Sequence, residues 1–290
     1  WSKKYLIFMK FKKIYSYAKI NLSLNIIRKL PNQFHKIESL VSFIKFFDEI
    51  KIREINKTKH KVSFSGKFAK GIGKHNTVSK LLKLLEEKKI INNKKFEIKI
   101  KKNIPQKSGM GGGSMNAANI LKYFIKKKIV KISEKKVFEL SNKVGSDVAL
   151  GLEKKNSILF NDRKIGRIND NINFHVLIVK PNIDCSTKQI YLKVTEYSKP
   201  IYNKNNNFFF KLDNLIKSKN DLEKVVFKKY PKIKNLKYFL SKLPNVVFAR
   251  MTGSGSAIVA YFKSKKAANK ATKILRRKYK NYWYIISKTI

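Results

Sequence analysis

The chain has 290 residues, 43% of them hydrophobic, enough to bury a substantial core in one large or two ordinary domains, and no apolar run reaches the roughly 18 residues needed to cross a bilayer. Its formal charge of +49 suggests a nucleic-acid partner. The lysines, however, are spread along every segment with abundant Asn and Ile, which reads as composition bias at solvated positions; no zinc spacing, paired-aromatic RNA signature or helix-turn-helix pattern accompanies them, so neither nucleic acid nor membrane is an expected partner. A single cysteine, Cys185, excludes an internal disulfide and fits a reducing, cytoplasmic setting, with inert packing as its expected role. The segment Trp1–Met9 has too short an apolar centre and no small-residue cleavage site for a secretory signal, and Met9 is a candidate start.

In chain order, residues 11–30 read as strand-rich. Ile20, Leu22, Leu24 and Ile26 alternate with Lys19, Asn21, Ser23 and Asn25, so Lys19 and Asn21 share the face opposite the apolar one, ordinarily a solvated face. A turn at Pro31-Asn32 leads to Phe34 and His35; alone, the first reads as core and the second as a surface or satisfied histidine. Residues 41–64 read as strands with charged breaks, and 66–75 as a loop. Asn76 and Thr77 start a helix carrying Val78, Leu81, Leu82 and Leu85, with Asn76 as its cap and a ligand contact as the lesser alternative.

The segment Ile104–Ala118, IPQKSGMGGGSMNAA, stands out. A strand-like alternation of Phe96, Ile98 and Ile100 precedes it, and Met115, Ala118, Leu121, Phe124 and Ile125 fall on one helical face after it. Gly109, Gly111, Gly112 and Gly113 lie between, where backbone N–H groups can approach a ligand, and Ser114 and Asn116 suit a first turn or cap. A helix start presents unpaired N–H groups and the positive end of its dipole, so this segment reads as a phosphate cradle. It is neither a Walker loop nor a dinucleotide fingerprint.

Farther on, Ser133 caps a helix that stops at Gly145, and Asp147 precedes the apolar Val148-Ala149-Leu150; a turn aspartate is the ordinary reading and a shielded, reactive carboxylate the alternative. Phe174–Val179 reads as a buried strand and the segment from Ser186 as a helix with Ile190, Tyr191 and Val194. Helices follow over 212–217, 222–230 and 233–243, then strands over 246–251 and 257–262 separated by Thr252, Gly253, Ser254 and Gly255. A basic amphipathic helix over 264–278 and a strand over 282–287 close the chain. The mixture gives an α+β class in two domains, 1–165 and 166–290, with the seam in the polar stretch 161–172.

Taken together, AKINLSL, FHKIESL, NTV, IPQKSGMGGGSMNAA, GSDV and MTGSGSAI resemble the GHMP kinase superfamily, over nearly the whole chain from Ile14 to Phe262. AKINLSL, the aromatic-His pair and NTV are most similar to the branch that phosphorylates the 2-hydroxyl of a cytidine-diphosphate-linked methylerythritol in non-mevalonate isoprenoid synthesis. The resemblance implies an N-terminal ribosomal-protein-S5-domain-2-like domain and a ferredoxin-like C-terminal domain, in a monomer or homodimer. It implies ATP as phosphoryl donor, Mg2+ arriving with it and no dedicated metal ligands. It assigns Lys19 and Asp147 to catalysis. It assigns Pro105, Lys107, Ser108, Gly109, Met110, Gly111, Gly112, Gly113, Ser114 and Asn76 to ATP. It assigns Asn21, Phe34, His35, Thr187, Tyr191, Gly253, Ser254 and Gly255 to the cytidyl substrate. The chain departs from the family at Asn32-Gln33-Phe34, where Asp-Gly-Tyr is usual, at Met115, where a Ser or Ala is usual, and at Ser186-Thr187-Lys188, which lacks a common proline. Homoserine- or mevalonate-type kinases, or a basic nucleic-acid-binding protein on a degenerate kinase fold, are the alternatives.

Overall fold

A computed structural model describes residues 10–31, 34–169 and 172–290; the candidate start Met9 and the departures at Asn32 and Gln33 lie outside them. The elements in order are β1 (Lys12–Asn21), β2 (Asn25–Lys29), β3 (His35–Ile55), β4 (Lys61–Ser65), α1 (Thr77–Glu87), β5 (Lys95–Lys101), α2 (Gly112–Lys126) and α3 (Glu134–Val144). They continue with β6 (Asn156–Leu159), β7 (Ile165–Ile168), β8 (His175–Lys180), α4 (Thr187–Tyr191), α5 (Leu212–Lys217), α6 (Leu222–Lys229), α7 (Pro231–Ser241), β9 (Val246–Met251), β10 (Ile258–Phe262), α8 (Lys265–Lys278) and β11 (Trp283–Lys288). Among the described residues no helix is long and apolar enough to cross a membrane.

The chain forms two compact units. The first comprises the described residues up to Ser16 with Phe47–Ile104 and Gly112–Leu152; the second comprises Tyr17–Phe46, Pro105–Gly111 and Glu153–Ile290. No single seam divides them in sequence, because β1 and β3 each run from one unit into the other. Within the stretch 161–172, where the domain seam was expected, residues 161–168 close a hairpin instead: β6 and β7 pair antiparallel, with Leu159 opposite Ile165, inside the second unit.

In the first unit the second half of β3 pairs antiparallel with β5, from Glu49 opposite Lys101 to Ile55 opposite Lys95, and β4 pairs with β5 in parallel. Helices α1, α2 and α3 cover this layer. Their apolar positions recur at helical spacing, so Leu81, Leu85, Ala118, Leu121 and Phe124 all reach zero exposure beside Ile50, Ile98 and Ile100. Strand β3 is one element of 21 residues rather than several short ones. Its charges do not break it because its partners change along its length, and Glu38 and Asp48 are fully buried against hydrogen-bond donors.

The second unit contains a four-stranded antiparallel sheet in the order β11-β8-β10-β9, covered by helices between β8 and β9 and by α8 between β10 and β11. This is a β-α-β-β-α-β arrangement with its fourth, first, third and second strands side by side, the ferredoxin-like topology expected. Residues Val179, Ile258, Ala260 and Phe262 pack with Ile190, Val226, Leu236, Leu240 and Leu275. Cys185 is buried here, and burial pushes its thiol up to about 11, so it is a packing residue.

Phe124 is fully buried with its ring centroid 4.5 Å from that of Phe96. Phe124→Ala is expected to cost about 3–5 kcal/mol in a urea unfolding experiment; a loss under about 1 kcal/mol would show that this core does not hold α2 in place.

Candidate active site

The glycine-rich segment splits at Gly112. Residues 105–111 form a loop of the second unit, while Gly112 and Gly113 already belong to α2. Within the loop the Ser108 hydroxyl donates to the Pro105 carbonyl at 2.7 Å. Gly109 and Gly111 take φ of +76° and +68°. At Gly109 the requirement is also one of space: a Cβ there would sit 1.8 Å from the Thr252 carbonyl oxygen. Gly253, at φ +53°, returns the contact, since its own Cβ would lie 3.0 Å from the Gly109 carbonyl oxygen. Two glycine turns thus meet backbone to backbone. The Ser256 and Ala257 N–H groups donate to the carbonyls of Lys107 and Ser108 at 3.2 and 3.3 Å, continuing that seam.

Lys19 and Asn21 end β1 against the same turns. The Lys19 N–H donates to the Met110 carbonyl at 3.2 Å, and its aliphatic stem lies where a Cβ on Gly111 would come within 2.9 Å of Cγ. Its ammonium donates to Asn21 Oδ1 at 2.6 Å; Asn21 Nδ2 donates to Ser39 Oγ at 2.8 Å, and the Asn21 N–H donates to Thr252 Oγ1 at 3.0 Å. Thr252 in turn donates to the Gly109 carbonyl at 3.2 Å. The solvated face expected for these two residues is therefore absent: Lys19 is 3% and Asn21 4% exposed. The Lys19 ammonium is thus buried with its charge directed onto the Asn21 side chain. The Asn21 amide faces Lys19 and Ser39, so it orients the lysine.

His35, the first residue of β3, carries the second cluster. Both ring nitrogens are buried without a hydrogen-bond partner. The ring centroid lies 5.3 Å from that of Tyr191 and 6.5 Å from that of Tyr197. Burial, helped by the charge of Lys29, holds the imidazole below its ordinary pKa. It is neutral at pH 7 and offers one donor and one acceptor, both unsatisfied. Phe34 is 63% exposed, so its expected core role does not hold. Thr187 and Ser254 pair through their hydroxyls at 2.8 Å. Tyr197 escaped the sequence reading because it lies in an irregular segment with no periodic signal.

In the first unit the starts of α1 and α2 converge with the turn after α3. A Cβ on Gly113 would lie 3.2 Å from Thr77 Oγ1, and one on Gly145 would lie 3.7 Å from Ser114 Oγ. Asp147 sits half-buried in that turn, which the Val148 N–H closes on the Gly145 carbonyl at 3.0 Å. Asn76 caps α1: its Oδ1 accepts from the Val78 and Ser79 N–H groups, and its Nδ2 donates to the Gly73 and Lys74 carbonyls. These bonds commit the side chain to the cap, the first of the two roles expected for it. Asn116, unlike Asn76, is not a cap; it lies beyond the first turn and donates to buried Asp48.

Residues 76–154 match the GHMP kinases N terminal domain and residues 207–281 match the GHMP kinases C terminal domain. A protein of Pelagibacter ubique named 4-diphosphocytidyl-2-C-methyl-D-erythritol kinase is 53% identical over 96% of this chain and 99% of its own length. The chain belongs to this kinase family, within the GHMP kinases. A Clostridioides difficile protein of the same name is 31% identical over 96% of both chains. Among solved structures, a 4-(cytidine 5'-diphospho)-2C-methyl-D-erythritol kinase superposes with a TM-score of 0.76 at 19% identity, covering 96% of this chain and all of its own. A homoserine kinase from Cytophaga hutchinsonii superposes at 0.71 and 16% identity, over 100% of this chain and 97% of that one. The family's shared fold accounts for both likenesses.

Gly109→Ala must separate the two turns, and is expected to destabilise the protein by about 3 kcal/mol or more while removing kinase activity. A variant with wild-type urea midpoint and kcat would show that the seam is not required. For His35, the folded pKa lies below the ordinary 6.5, so native stability and the neutral donor-acceptor pattern are retained above that value and lost as pH falls through the folded pKa. An NMR titration is expected to give a midpoint below 6.5; a midpoint at or above it would remove the neutral-ring assignment.

Proposed function

We propose that this chain phosphorylates the 2-hydroxyl of 4-diphosphocytidyl-2-C-methyl-D-erythritol with ATP, a step of non-mevalonate isoprenoid precursor synthesis, in a reducing cytoplasm. The observation that carries the choice of substrate is His35. A neutral imidazole with two unsatisfied nitrogens, beside Tyr191 and Tyr197 and following exposed Phe34 in the chain, suits the hydrogen-bonding edge and planar face of a cytosine. A short alcohol such as homoserine has polar groups for the imidazole but no planar ring to lie against Tyr191.

The glycine segment fits a nucleotide phosphate. Gly111 and Gly113 let the backbone lie close against Lys19 and Thr77, where a Cβ would strike them, and the first turn of α2 carries no acidic residue to repel an anion. ATP supplies the phosphoryl group and brings Mg2+ with it; among the described residues no group of three His, Cys, Asp or Glu could hold a metal ion. Lys107, Ser108 and the loop amides hold the phosphates. Lys19, fixed by Asn21, supplies positive charge to the transferring group, and Asp147 accepts the proton of the hydroxyl. Thr187, Ser254 and the glycines beside it shape the substrate end. The family likeness and the buried, oriented Lys19 support this assignment.

Asp147→Asn keeps size and polarity but removes the base. It is expected to lower kcat at least about 100-fold with both KM values within about three-fold. Turnover measured with the cytidyl alcohol and with homoserine tests the substrate class in the same assay. Ordinary kcat in the variant would remove Asp147 as base, and turnover of homoserine alone would overturn the cytidyl reading.

A further inference from the structure

The glycine-rich loop leaves the first unit at Ile104 and returns to it at Gly112, and one carboxylate lies behind both points. Asp48 has no exposed surface. Its Oδ1 accepts the N–H groups of Asn103 and Ile104, each at 2.8 Å. Its Oδ2 accepts from the Lys102 ammonium and, at 3.0 Å, from Asn116 Nδ2 on the second turn of α2. Lys102, 3% exposed, turns its ammonium towards the start of α2, where a Cβ on Gly112 would come within 3.1 Å of Nζ. The side chain of Asn103 ties the same corner down by donating to the Phe47 carbonyl at 2.9 Å.

We infer that Asp48 is a positioning residue for the nucleotide: one carboxylate ties together the two ends of the glycine-rich loop and so sets the loop's span before ATP arrives. The inference rests on the reading of that loop as the nucleotide cradle. The chemistry favours such a role over packing alone. A fully buried carboxylate is retained only when paired and hydrogen-bonded, and replacing a whole buried ion pair such as Asp48–Lys102 by apolar residues often stabilises a fold as well. What an apolar residue lacks is direction. Asp48 reaches four donors on three consecutive residues before the loop and one residue after it, which fixes the distance between strand β5 and helix α2. The ion pair also cancels the charge of Lys102 beside the positive end of a helix, so the cation does not compete with that end for incoming phosphate.

Three variants test this in the full chain, with KM for ATP and for the cytidyl alcohol measured separately. Asp48→Asn keeps an acceptor for the backbone but weakens the hold on Lys102 and Asn116. Asn116→Leu cuts the tie to α2 with the same branching at Cγ, though with bulkier methyl groups, and removes the buried Asn116 Oδ1, which has no hydrogen-bond partner. Gly111→Ala disturbs the loop itself. The expected result is a rise in ATP KM of about ten-fold in Asp48→Asn and about three-fold in Asn116→Leu, short of the roughly hundred-fold that an ångström of misplacement can cost. The alcohol KM should stay within two-fold in both. A purely structural role would instead lower the melting temperature and the fraction of active protein with both KM values unchanged, which overturns the inference. If Asp48→Asn does not fold, Asn116→Leu decides alone by the same criterion. An ATP KM raised in Gly111→Ala but unchanged in the other two overturns the positioning role while the loop reading stands. An ATP KM unchanged in Gly111→Ala overturns the loop reading and this inference with it.

Discussion

The backbone contact between Gly109 and the Thr252–Gly253 turn is the constraint around which the second unit's share of the site is arranged. A Cβ at Gly109 would overlap the Thr252 carbonyl, and both glycines sit at positive φ, so the seam exists only because neither turn carries a side chain there. The same seam places Thr252 Oγ1 between the Gly109 carbonyl and the Asn21 N–H. Asn21 then holds the Lys19 ammonium, whose stem lies along Gly111. Loop shape and lysine position are thus one feature: loosening the turn would free the cation as well as the phosphate cradle.

Charge is organised in a related way. With 67 basic and 18 acidic side chains, the protein places several of its few carboxylates inside. Glu38 accepts from Asn25 and from the Ile201 and Tyr202 N–H groups, fixing the irregular segment beyond Tyr197. Asp221 accepts from the Ile26 N–H and the Ser198 hydroxyl, and Glu223 from the Met251 N–H ahead of the second glycine turn. Buried Arg250 mirrors them, donating to the carbonyls of Leu22, Leu215, Ile216 and Ser218. Such groups contribute direction more than net stability, since each must recover its desolvation cost through well-formed hydrogen bonds. Most lysines stay in water, where their number records composition more than a binding surface.

Helices and strands with a clean period were legible in the sequence. The apolar faces of α1, α2 and α8, the caps at Asn76 and Ser133, and β9 from Val246 to Met251 follow directly from spacing and capping chemistry. The glycine-rich turn between strand and helix was legible from its residue types, and the order of motifs was legible as a GHMP kinase. The fate of the polar residues was not. Lys19 and Asn21 alternate with apolar neighbours as any solvated strand face does, yet both are buried. Asn116 resembles a cap and is a partner of Asp48, 68 residues away. The polar stretch where a seam was expected contains, over residues 161–168, the turn and second strand of a hairpin. Periodicity reports which face of an element is apolar, not what covers the other face.

The sequence by itself determined the α+β class, the family and the residue types at the site, because these depend on local spacing, glycine placement and motif order. Only the tertiary structure decided that Gly109 must be glycine on account of Thr252, that His35 keeps two unsatisfied nitrogens beside Tyr191 and Tyr197, and that Asp48 ties the ends of the loop together. The physical reason is the same in each case: a steric clash, an unmet hydrogen bond and a buried charge are properties of pairs of groups distant in the chain, and a linear pattern does not contain those pairs.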